Sequence, residues 1–281
     1  MWRTEEGLAV KPYYRKENLE KLQDQISVRR TDRGWETVAA GKPAADAIRA
    51  DLLHEAGANA VQELGYAIAM GVEWLGSISQ SRPAEAVARR TELVMGVGPS
   101  YFMEIAKLRA VRLLWAQAVA AFGFEDPEAC PMRLHVRTPR RNKSVCDRYT
   151  NLLRAATEAL AAVIGGCDQL TVEPFGFDDH LALNIQRILR EESHLDAVAD
   201  PAGGSYYIEA LTDSLAREAW KLFQQVEAEG GYARALASGS IAKALAASRA
   251  ARDKAMSGRR RVLVGVNNYP NLAEKKPSCS L

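Results

Sequence analysis

Long helical patterns alternate with short apolar runs over most of the chain, and this alternation limits the possible folds more than any other feature. From about Ala58 to Ile78, Val61, Leu64, Ile68 and Val72 recur at helical spacing. Pro99 opens a second helix to about Phe122, since a proline in the first turn lacks only an N–H that has no helical partner there. Ile105, Leu108, Leu113, Trp115 and Val119 make much of that helix apolar, which predicts burial, and Gly123 supplies a stop. A third helix is expected from about Arg148 to Ile164, with small residues at its centre that permit close approach of a neighbour. Further helices are expected over about 180–192, 209–229 and 238–256. Between them, Met132–Arg137, Gln169–Glu173, Leu195–Ala199 and Val262–Val266 read as short strands. Helices of this length between short strands imply βα units and a parallel sheet, hence an α/β fold. In a parallel barrel, function gathers where strands end, here at His135–Thr138, Glu173–Phe177 and Asp200–Ser205.

Composition narrows the partners. The 281 residues are 47% hydrophobic and 26% charged, enough apolar material for a sizeable core and against a disordered chain. A formal net charge of +2 gives no bulk electrostatic reason to expect nucleic acid or a membrane surface as partner. No apolar run approaches the roughly 20 residues that span a bilayer. The first residues, Met1 to Glu6, do not read as a secretory signal. The cysteines (Cys130, Cys146, Cys167 and Cys279) show no CxxC spacing, so a reducing, cytoplasmic setting is expected. The cysteines and histidines show no clustered zinc-ligand spacing, which argues against a zinc site. Residues 1–45 differ from the rest: Lys11-Pro12 is extended, and residues 16–35 are strongly charged. They read as an arm whose aromatic residues pack on something.

Three groups carry chemical interest. His54-Glu55 either contacts a ligand at the mouth of the sheet or caps a helix start, the latter being the favoured reading. His135 lies within a strand between Leu134 and Val136, and is either a ligand contact or a histidine satisfied by a buried neighbour. Arg137 to Lys143 is the sharpest basic cluster. It suits phosphates or carboxylates, although a solvated loop or partner patch is favoured. No GxGxxG, GxxxxGK[ST] or GxSxG motif occurs. Gly203-Gly204 therefore reads as a tight turn.

Whole segments nevertheless resemble the substrate-binding barrel of the adenosylcobalamin-dependent acyl-CoA mutases, above all the methylmalonyl-CoA mutase family. They are His54-Glu55-Ala56-Gly57-Ala58 with Gln62-Glu63-Leu64-Gly65-Tyr66; Tyr101 to Ala110; Thr157-Glu158-Ala159 through Gly165-Gly166; Asp200 to Glu209; and Val264-Gly265-Val266-Asn267. Thr4 to Pro12 is similar to the family's N-terminal arm. The resemblance implies a partial (β/α) TIM-barrel-like domain made of the later βα units. It divides the chain into an arm (1–45), a barrel portion (46–270) and a tail (271–281).

The departures shape what the resemblance implies about function. Catalytic members carry a Tyr-His pair where this chain has Asp51 and Leu52. The motif His-x-Gln-Thr-Ser-Gly becomes His135-Val136-Arg137-Thr138-Pro139-Arg140, and a later Asp-Glu pair becomes Gly176 and Phe177. Arg90 falls where the family has an arginine associated with the CoA-bearing substrate, but its companion serine is Glu92. The family's Asp-x-His-x-x-Gly cobalamin motif has no counterpart, and by length the resemblance implies that several early strands are absent. This pattern is similar to the small, non-catalytic subunit of heterodimeric members, with Asn142 to Val145 and Leu170 to Phe175 closest to it. The implied expectations are a catalytic mutase chain or a second copy as partner, and adenosylcobalamin bound by the partner rather than by this chain. Acyl-CoA is a further ligand that the resemblance allows. The family positions for substrate are Arg90, His135 and Arg137; for cofactor, Glu55 and His135; and, in an active chain, His135 and Glu55 are the catalytic candidates.

Overall fold

The computed structural model describes residues 2–19, 34–41, 43, 47–78, 91–123 and 132–273. An antiparallel pair, β1 (Trp2–Arg3) and β2 (Ala9–Val10), begins the chain and places Leu8 and Val10 in the core. The centre is a five-stranded sheet of β3 (Glu36–Thr37), β4 (Ile48–Arg49), β5 (Glu92–Gly96), β6 (Arg133–Arg137) and β7 (Gln169–Thr171). Its order is β3-β7-β6-β5-β4, and each neighbouring pair is parallel. Strands β4 to β7 are thus neighbours in chain order, each reached by a helical crossover, as βα units require.

The crossovers are α1 (Asp51–Ala56) with α2 (Ala60–Ile78), α3 (Tyr101–Ala121) and α4 (Thr150–Ile164). After β7 come α5 (Asp179–Arg187), which continues as a π-helical turn over Ile188–Glu192, then α6 (Tyr206–Ala228), α7 (Tyr232–Ala237) and α8 (Ser240–Ser257). Helix α6 lies against both α2 and α3. Two glycines of α2 set that distance. A methyl group on Gly71 would stand 2.6 Å from the Trp115 ring of α3, and one on Gly65 would stand 3.0 Å from the Ala219 carbonyl of α6. Helix α3 is buried almost all round, as its apolar composition predicts.

Side-chain alternation divides the sheet. Leu93, Met95, Leu134, Val136 and Leu170 share one face and join the helices in the main core. Val94, His135 and Thr171 occupy the other face and are buried as well. Strands buried on both faces are the norm in parallel sheets, and Leu93-Val94-Met95 of β5 is continuous in apolar residues, whereas β6 and β7 bury His135 and Thr171 on the second face.

The structure is a mixed α/β domain with a parallel sheet, the partial βα-barrel class expected, but several elements differ in detail. Leu195–Ala199 is not a strand. The Leu195 N–H turns back to the Leu189 carbonyl and Ala197 to His194, so the segment winds off a helix end. The place beside β7 is taken by β3, from residues counted with the arm. Trp35 is buried there, with the Arg190 guanidinium 4.8 Å from its ring centre. Val262–Val266 is not a strand either; it forms a turn closed by a single bridge between Val264 and Asn268. Strand β5 was not expected, although Leu93-Val94-Met95 is a compact apolar run.

Candidate functional site

The carboxyl ends of β5, β6 and β7 gather the charged residues. His135 is buried on the second face of the sheet with both ring nitrogens engaged. Its Nδ1 lies 3.1 Å from Glu92 Oε1, and its Nε2 lies 2.9 Å from Thr171 Oγ1. A carboxylate only accepts, so Nδ1 carries the proton, and Nε2 accepts from the threonine hydroxyl. Burial keeps the imidazole below its usual pKa, with Arg137 adding to that and Glu92 opposing it. In this geometry both ring nitrogens of His135 meet neighbours within the fold.

Two residues on, Arg137 closes the end of β6. It pairs with Glu173 beyond β7, donates to the Gly41 carbonyl beyond β3 at 2.7 Å, and its Nε lies 3.9 Å from Asp51 at the start of α1. Asp51 in turn accepts two hydrogen bonds of 2.7 Å from Arg49 of β4. One guanidinium therefore ties together segments that follow both edge strands. Thr138 accepts the Glu173 N–H at 2.8 Å, fastening the same corner. This donor set does not fit adenosylcobalamin. A flat macrocycle above the strand ends needs an open platform, and here that space holds salt-bridged side chains directed at one another. Leu52 is 54% exposed on α1 and carries no polar atom.

Glu55 does something different from what either of its readings held. Its carboxylate accepts the backbone N–H groups of Arg140 and Arg141, at 2.6 and 3.0 Å, and so clamps the loop after β6. The structure does not bring it to His135. Arg90 lies outside the described residues.

A second charged group, unforeseen from sequence, lies behind His54. Glu63 of α2 accepts the Gly96 N–H at 2.8 Å through Oε1. Its Oε2 accepts from Lys107 of α3 at 2.6 Å and from His54 Nδ1 at 2.7 Å. Lys107 also donates to the Gly96 carbonyl at 2.7 Å and lies 2.5 Å from Glu104. All four side chains are buried. Burial pushes the Glu63 carboxyl up, but Lys107 and His54 more than offset it and hold it at about 2. Burial keeps His54 below its usual value and so neutral. The only signal for this cluster was a charged residue on each of two otherwise apolar helix faces.

The turn at Asp200–Ser205 is fastened to α3 by Arg109, which pairs with Asp200 and, at 2.6 Å, with Glu209. Glu209 also accepts the Gly204 N–H at 3.0 Å. Gly204 has φ of +79°, so the glycine pair serves a tight turn, as read from sequence. No described helix is long and apolar enough to cross a membrane.

Comparison with known proteins agrees with this architecture. A sequence profile of methylmalonyl-CoA mutase matches residues 34–280. The methylmalonyl-CoA mutase small subunit of Porphyromonas gingivalis is 44% identical over 233 residues, covering 79% of this chain and 38% of that protein. The small subunit of Streptomyces virginiae is 39% identical over 244 residues, 83% of this chain and 39% of that protein. The large subunit of P. gingivalis is 36% identical over 226 residues, 77% and 32% respectively. The chain thus spans 32–39% of the length of these relatives. The profile match over most of the chain settles the classification: the protein belongs to the methylmalonyl-CoA mutase family.

Proposed function

We propose that this chain is a non-catalytic subunit that supports a catalytic mutase chain in the interconversion of methylmalonyl-CoA and succinyl-CoA. The observation that carries this reading is the strand end at Arg137. Where a cofactor face would lie, Arg137, Glu173, Asp51 and Arg49 neutralise one another. His135 supports it too, because both of its nitrogens are occupied inside the fold. In this reading adenosylcobalamin is held by the partner. The partner requirement is supported by the relatives, which include a small and a large methylmalonyl-CoA mutase subunit of P. gingivalis. The division into arm, barrel portion and tail follows the same reading, as does a cytoplasmic setting, with the exposed thiol of Cys146 unpaired.

The test is co-expression with a full-length catalytic mutase chain. The expected result is co-purification, turnover by the pair, no turnover by this chain alone, and unchanged turnover when His135→Gln is introduced. Turnover by this chain given adenosylcobalamin and a separate cobalamin-binding domain, lost in His135→Ala, would instead identify a divergent active subunit and refute the proposal. A stable homo-oligomer that retains no mutase chain would refute it as well.

A further inference from the structure

Four arginines border a cleft of about 590 Å³ beside the loops that follow β5 and β6. Arg141 comes from the loop after β6, Arg154 from α4, Arg252 from α8 and Arg261 from the turn beyond it. Leu153, Met256 and Val262 form its apolar wall. Its lining comes from the loops after β5 and β6, from α4 and α8, and from the turn beyond α8 rather than from the strands themselves.

The charges in this cleft are unbalanced. Arg141 donates to the carbonyl oxygens of His54 and Ala58, and Arg154 to the Asn151 amide oxygen and the Val264 carbonyl. These acceptors are neutral: they satisfy the N–H groups and leave the positive charge in place. Among the described residues Arg252 has no hydrogen bond and no ion pair. Only Arg261 has a carboxylate partner, Glu5. Asp253, the acidic residue of the lining, lies 3.9 Å from Arg249. Burial and then a neighbouring arginine lower the pKa of Arg141, through Arg252, and of Arg252, through Arg261; Glu63, Glu104 and Glu55 oppose the first, Glu5 and Asp253 the second, and Arg154 has Asp147 and Glu158 nearby. Arg252 lies near Arg141 and Arg261, with Glu5 and Asp253 as its neighbouring acidic groups, and its N–H donors have no hydrogen-bond partner among the described residues; a bound anion would accept from them.

We propose that this cleft binds a phosphate monoester with an apolar body. A phosphate matches the site better than a carboxylate on two counts. Its charge of nearly two answers more than one guanidinium, and its oxygens accept from forked N–H donors in several directions. The apolar body would lie on Leu153, Met256 and Val262. This assignment stands independently of the subunit reading.

Phenyl phosphate, titrated calorimetrically into the full chain, is the probe. The expected result is saturable one-to-one binding, weakened about tenfold or more in Arg252→Gln, the loss of one charge-assisted hydrogen bond. Arg252→Lys should recover part of it. Leu153→Ser should weaken phenyl phosphate while leaving inorganic phosphate unchanged. Both positions are surface side chains, and circular dichroism with thermal melting would establish that the variants fold. Absence of saturation, equal affinity in Arg252→Gln, or benzoate binding as tightly as phenyl phosphate would each overturn the proposal.

Discussion

Lys107 is the residue whose removal should be felt most. Its ammonium group is fully buried and spends its donors on Glu63, Glu104 and the Gly96 carbonyl, at 2.6, 2.5 and 2.7 Å. Lys107→Met keeps the volume and removes the charge. Glu63 then retains only His54 and the Gly96 N–H, and its negative charge is left inside the protein. Removing one partner of a buried pair costs about 3–5 kcal/mol. At about 2–4 °C per kcal/mol for a chain of this size, the melting temperature should fall by roughly 6–20 °C. The pH profile adds a second reading. Glu63 ionises at about 2 in the folded chain against an ordinary 4.5, so the folded state holds fewer protons between those values. That difference contributes about 3 kcal/mol, fully present above pH 4.5 and lost as the pH falls through about 2. In Lys107→Met the acid limb should move to higher pH. Urea unfolding of Lys107→Met, Glu63→Gln and the double variant measures the coupling, and the double variant should lose less than the sum of the two. A loss below about 1 kcal/mol in Lys107→Met, or strict additivity, would refute the reasoning.

Three further outcomes follow from the same structure. A methyl group on Gly96 would lie 2.5 Å from the His54 ring, so Gly96→Ala should destabilise by about 1–3 kcal/mol by displacing the histidine; denaturant unfolding measures it. Glu158 is buried beside Lys143 and Asn142, and burial holds its carboxyl up at about 7. Its contribution is present below an ordinary 4.5 and lost as the pH rises through about 7, by up to about 3 kcal/mol; Glu158→Gln should therefore flatten the stability profile between those values. Arg109→Leu leaves Asp200 and Glu209 without their cation, and should cost about 3 kcal/mol or more and speed amide exchange at Gly204.

The long helices and the strands at Met132–Arg137 and Gln169–Glu173 were legible because their periodicity is strong and local. Leu195–Ala199 shows why alternation alone misleads: five alternating residues fit a strand, yet Leu195 reaches the Leu189 carbonyl of the preceding helical turn and Ala197 turns back onto His194. Strand β5 was missed for the opposite reason, since a run buried on both faces does not alternate. At the site, sequence marked His135 and Arg137 but left the role of His135 open, because Glu92 and Thr171, which decide it, come from neighbouring strands. Glu55 was visible as a charged residue near a helix; that it grips Arg140 and Arg141, more than eighty positions away, was not. Glu63 and Lys107 lay in segments noted for resemblance alone, and their pairing depends on how α2 crosses α3.

The edge strand β3 has a kinetic consequence. Strands β4 to β7 follow one another in sequence and can assemble by successive addition of neighbours. Glu36, by contrast, meets Gln169 across a separation of 133 positions. Closing so long a loop must be offset by two residues of pairing, the burial of Trp35 and a few arginine contacts from Arg133, Arg137 and Arg190, so this contact should form late and open early. When it opens, it uncovers the backbone of β7, an unpaired strand edge on an apolar sheet. A brief excursion at Trp35, far short of global unfolding, is then enough to present a template for the wrong chain.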